Sequence, residues 1–71
     1  MHRYLIVIEK AEGNYAAYCP DLPGCVTTGK TIEQTKRNMA EAIAGHIECL
    51  REYGDPVPEP HTVGTDYVEV A

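Results

Sequence analysis

Residues 52–71 contain no lysine and no arginine, although they hold five acids: Glu52, Asp55, Glu59, Asp66 and Glu69. Residues 1–51 carry six acids against six bases, so the final segment supplies the whole net charge of −5. Affinity for DNA or RNA is built mainly from Lys and Arg displacing counterions, which an acidic surface opposes. Direct nucleic-acid binding is therefore the least favoured class, whereas the same surface steers a basic partner. The plainer reading of the charge is solubility.

Cysteine is scarce and unpatterned. Cys19, Cys25 and Cys49 are an odd number, form no CxxC, and follow no secretory signal, so reduced thiols in a cytoplasmic protein are expected. No apolar run approaches the roughly 20 residues that cross a membrane. Tryptophan and phenylalanine are absent. With few bases interleaved, the tyrosines read as core and interface residues and not as base-stacking platforms. There is no internal repeat. A chain of 71 residues makes one domain, residues 1–71, whose small core is marginal without staples or self-association.

What is present reads as strands, then a helix, then a strand. Tyr4–Ile8 is β-branched, aromatic and apolar on both faces, which places it inside a sheet. Glu12-Gly13-Asn14 supplies a turn, Tyr15–Cys19 a second strand and Cys25–Thr28 a third. Thr31 and Gln34 form a capping box for a helix over residues 32–53, with Ile32, Met39, Ile43, Ile47, Leu50 and Tyr53 on one face. Gly54 and Pro56 end it. Val57-Pro58-Glu59-Pro60 is a stiff link, and residues 65–70 alternate as a final strand with Val68 and Val70 on one face. The order β-β-β-α-β gives an α+β fold, an antiparallel sheet with one long helix. One helix cannot cover both faces of that sheet, so a homodimer or higher homo-oligomer is expected.

Between the second and third strands lies PDLPGC, residues 20–25. Pro23 and Gly24 fit the second and third positions of a type II turn over Leu22–Cys25. Pro20 ends the preceding strand, and Asp21 can cap nearby N–H groups as an Asx-turn. The corner is first a chain-reversal device, and on that reading Asp21→Asn leaves folding largely intact.

The YLIVIE strand, the PDLPGC corner, the Gly29-Lys30-Thr31 helix start, Asn38–Ile43 and the proline exit Pro56–Pro60 together resemble the HicB family of antitoxins. The resemblance covers nearly the whole chain. It implies a partly degraded ribonuclease-H-like fold without that enzyme's chemistry. It also implies a partner, a small basic HicA-type toxin that cleaves mRNA, blocked by occlusion. Many members carry an additional DNA-binding domain; no such segment follows here, and DNA binding is not expected. The contacts expected with the partner are Asp21, Leu22, Pro23, Asp66 and Glu69.

A metal-dependent ribonuclease remnant needs carboxylates converging from neighbouring strands, yet Tyr4–Ile8 carries none, and Asp21 and Asp66 have no evident way to meet. His46 and Cys49, at i,i+3, could share zinc only with two further ligands from Cys19, Cys25 or His61. Nothing indicates a Cys–His nucleophile with its oxyanion hole. The expectation is a non-enzymatic binding module with no catalytic residue, metal or cofactor; the alternatives are the nuclease remnant and a structural oligomer without a toxin.

Overall fold

The computed structural model describes residues 2–71. Strands Val7–Ala11 (β1), Asn14–Tyr18 (β2) and Val26–Gly29 (β3) form an antiparallel sheet in the order β1-β2-β3. Helix Ile32–Glu52 (α1) lies over β3 and β2. This is the α+β class read from the sequence. Ala11 faces Asn14 across the first hairpin, so its loop is Glu12-Gly13 alone, and glycine at the second position takes a φ of 81° without the clash a side chain would bring.

The helix ends follow from their residues. Thr31 Oγ1 accepts the Gln34 N–H at 3.0 Å, while Gln34 Oε1 accepts the N–H of Lys30, one residue beyond Thr31, at 2.6 Å. The box is thus stretched by one position. At the other end the Gly54 N–H donates to the Arg51 carbonyl and the Asp55 N–H to that of Leu50, a Schellman pair made possible by φ 72° at Gly54. Of the apolar stripe, Met39 is fully enclosed and Ile43, Ile47 and Leu50 are half-buried. Ile32 and Tyr53 are exposed instead. A helix of 21 residues is about 32 Å long and overhangs strands that span roughly 17 Å.

The core is thin: Ala17, Cys19, Leu22, Cys25 and Met39, with Thr35 buried beside them. Thr35 closes the join between β3 and α1, its hydroxyl donating to the Thr31 carbonyl at 2.7 Å. Gly29 is the matching gap, because a Cβ there would stand 2.5 Å from Thr35 Oγ1 and 2.8 Å from its backbone nitrogen. Backbone cannot swing aside. Gly29→Ala is expected to cost about 1–3 kcal/mol, read by urea denaturation, while Gly45→Ala, mid-helix with open space at its Cβ, is expected to stabilise by up to about 1 kcal/mol.

Two expectations are corrected. Residues 65–70 form no strand, and Tyr67, Val68 and Val70 are 97%, 84% and 88% exposed. With α1 lying over β3 and β2, a fourth strand beside β1 finds no helix to pack on. In consequence β1, expected inside the sheet, is an edge, and it starts only at Val7. The free segment also stretches the molecule. Its radius of gyration is 13.5 Å, against about 11 Å for a compact chain of this length.

Candidate functional site

The corner folds as its residues dictate. The Cys25 N–H donates to the Leu22 carbonyl at 3.1 Å, and Gly24 takes φ 83°, the type II turn expected at Leu22–Cys25. The Leu22 N–H reaches back to the Cys19 carbonyl, and the Cys19 N–H donates to that of Cys25, which sews the two arms of the corner together. Leu22 points inward and is completely enclosed. Burial pushes the Cys25 thiol above its ordinary pKa, with Cys19 adding to the effect, so it is a packing residue held as the thiol.

Asp21 does something the sequence did not announce. Its carboxylate is buried and turned toward the returning C-terminal chain, not toward its own turn. Oδ2 accepts the backbone N–H groups of His61 and Thr62, each at 3.2 Å. Oδ1 accepts the Thr62 hydroxyl at 2.7 Å and lies 3.2 Å from His61 Nδ1. The Thr62 hydroxyl first, then the two backbone N–H groups, hold the Asp21 carboxyl below its ordinary pKa against the opposing pull of burial. Two further contacts strap the same stretch down. The Tyr4 hydroxyl donates to the Pro58 carbonyl at 2.6 Å, and His2 Nδ1 lies 3.4 Å from a Glu59 carboxylate oxygen.

Residues 57–62 are therefore a fastened strap, and from Val63 onward the chain is an exposed arm. The residues singled out from the sequence divide accordingly. Asp21 and Leu22 are buried and support the corner from within, whereas Pro23 is its exposed rim. Asp66 and Glu69 sit on the arm, which leaves the corner four residues before Asp66. Tyr4, His61 and Thr62 were not foreseen, since nothing in local spacing marks a contact made 40 residues away. Among the described residues, no three His, Cys, Asp or Glu side chains gather as a metal cage. The arrangement is a rigid corner, a buried anchor and an exposed acidic arm.

Comparison with known proteins meets this geometry. A UPF0150 protein of Synechocystis is 40% identical over 60 residues, covering 83% of this chain and 76% of its own. Antitoxin HicB 1 of Photorhabdus laumondii is 35% identical over 69 residues, or 96% of this chain but 44% of that protein. The chain thus spans less than half of that longer antitoxin. Among solved structures, the N-terminal domain of the Burkholderia pseudomallei antitoxin HicB superposes with a TM-score of 0.74 at 35% identity, over 84% of this chain and 70% of that one. The family described as the HicB-like antitoxin of bacterial toxin–antitoxin systems matches residues 4–69, which take in the sheet, the corner, the helix, the strap and nearly all of the arm. The chain belongs to the HicB-like antitoxin family.

Proposed function

We propose that this protein is a non-catalytic antitoxin module of the cytoplasm, acting as one unit over residues 1–71, which neutralises a small basic HicA-type mRNA-cleaving toxin by occlusion. Its scaffold is the partly degraded ribonuclease-H-like one that the resemblance implies. The observation carrying the reading is the arm. It presents Asp66 and Glu69 among exposed Tyr67, Val68 and Val70, with no base of its own, from a mount that Asp21 makes rigid. A basic surface meeting the arm gains complementary charge for encounter and apolar contact for residence. Pro23, held out by the buried Asp21 and Leu22, forms the second part of the contact surface.

The test is a pull-down with the tagged, full-length chain, followed by an mRNA cleavage assay on the captured protein. A small basic protein that cleaves mRNA alone, and is silenced by stoichiometric addition of this chain, is the expected result. Asp66→Lys with Glu69→Lys should then weaken inhibition about tenfold or more at low salt, and less at high salt. Mg²⁺-dependent cleavage by this chain itself, abolished by Asp21→Asn, overturns the reading in favour of the nuclease remnant.

A further inference from the structure

Cys19 and Cys25 bracket the corner at the last rung of the sheet. β2 pairs with β3 at Ala17 with Thr27 and at Tyr18 with Val26, and the same register sets Cys19 opposite Cys25. The Cys19 N–H donates to the Cys25 carbonyl at 3.2 Å, so the rung is closed. Side chains alternate along a strand, and opposite residues share a face. Tyr18 and Val26 are exposed on one face, which turns both cysteines to the other, where they are 2% and 4% exposed in the cluster of Leu22 and Met39. Opposite residues joined by backbone hydrogen bonds stand about 5.5 Å apart at Cα, inside the roughly 4.4–6.8 Å that a disulfide spans. Burial first, and then a charge at Cys19, raise the Cys25 pKa, so the two thiols are close enough to feel one another. Both are free thiols, and the ring that a bond between them closes holds seven residues, with Asp21 and Leu22 inside it.

We propose that Cys19 and Cys25 are a redox latch, oxidised by a low-molecular-weight disulfide such as oxidised glutathione to an intramolecular disulfide that locks the corner. The exchange takes two steps. One cysteine gives its proton to water, and its thiolate attacks a sulfur of the small disulfide, forming a mixed disulfide and expelling one small thiolate. The other cysteine, deprotonated in turn, attacks the protein sulfur of the mixed disulfide and expels the second. The protein gives up two electrons and two protons; the small disulfide takes up both and leaves as two thiols.

Two features make the pair a latch and not a permanent staple. Where glutathione is kept reduced, structural disulfides do not persist, and those that form are transient and redox-sensing. Burial also shields both sulfurs from a molecule of glutathione's size, so the first attack waits for the corner to open. Reclosing brings the second thiol back onto the rung, and the bond then holds the closed state. Cys49 is exposed on α1, outside the cluster that holds the pair, and takes no part. What the latch governs is the mount of the strap. Asp21 lies inside the ring and holds His61 and Thr62. Oxidation thus makes residues 57–62 harder to release.

The test uses the full-length chain with Cys49→Ser, so that the exposed thiol takes up no glutathione of its own, and it needs no toxin. The native protein is equilibrated over a series of reduced-to-oxidised glutathione ratios, acid-quenched, alkylated in denaturant and weighed. The expected result is a species about 2 Da lighter that carries no alkyl group and is absent after Cys19→Ala or Cys25→Ala. Its Tm should lie about 10 °C above that of the reduced protein, and its strap should be cleaved more slowly, both reversed by dithiothreitol. Two alkylated cysteines at every ratio, or glutathione retained on one of them without ring closure, overturns the proposal. So does a disulfide that forms only in urea, or one that lowers Tm, since neither latches the native corner.

Discussion

Leu22→Ala is expected to remove a large share of the protein's stability, about 3 kcal/mol. Leu22 is completely enclosed among buried Ala17, Cys19, Cys25 and Met39, with Tyr4, Ile6, Ile8, Ala42, Ile43 and Ile47 packed half-buried against that cluster. Truncating a buried leucine costs about 2–5 kcal/mol, because the transfer free energy is lost and the cavity closes only in part. Here the surroundings cannot collapse. On one side stands the corner, whose backbone is locked by the hydrogen bonds between Cys19, Leu22 and Cys25. A domain of this length has a stability of roughly 4–10 kcal/mol. A loss of about 3 kcal/mol lowers Tm by roughly 12–24 °C. Thermal unfolding followed by circular dichroism reads the effect directly. Val26→Ala serves as the control, since Val26 is 65% exposed and its loss should move stability by less than about 0.5 kcal/mol. Equal effects from the two would mean that Leu22 is not the centre of the core.

The contrast between Leu22 and Asp21 explains what could be read from the sequence. Turn and cap positions were legible because their chemistry is local. Pro23-Gly24 names a type II turn, Thr31 an N-cap, and Gly54 a left-handed C′ residue, each from constraints acting within four residues. The periodicity of Met39, Ile43 and Ile47 likewise records a face of the helix. What was not legible is what depends on partners distant in the chain. Asp21 reads as an Asx-turn until the chain returns at His61, and Gly29 has no evident purpose until Thr35 lies against it. The arm fails differently. Its alternation is that of a strand, and local pattern cannot supply the edge or the layer that a strand needs. The family resemblance was carried by the corner and the helix start, which are local features as well, and for that reason it survived.

Asp21 carries the second large effect, and it divides two substitutions that a turn residue would not. Asp21→Ala removes the acceptor for the N–H groups of His61 and Thr62 and for the Thr62 hydroxyl together. Hydrogen bonds to a charged acceptor are among the stronger ones, and donors left without a partner add to the loss. The expected result is a fall in Tm on the order of 10 °C, with residues 57–62 becoming sites of proteolytic cleavage. Asp21→Asn keeps one oxygen for the backbone N–H groups, and the Thr62 hydroxyl can turn to accept from the new amide. Folding survives, as the sequence reading expected, but the charge is gone. The pH dependence distinguishes this variant from wild type. Because the folded pKa lies below the ordinary 3.8, the network's stabilisation is complete above that value and is lost as pH falls below it. Wild type should therefore lose its strap in acid, read as proteolysis between residues 57 and 62 by an acid-active protease, while Asp21→Asn shows no such dependence. Identical acid profiles would show that the carboxylate does not hold the strap. In that case the arm would lack a fixed mount, and the toxin-facing surface would need another anchor.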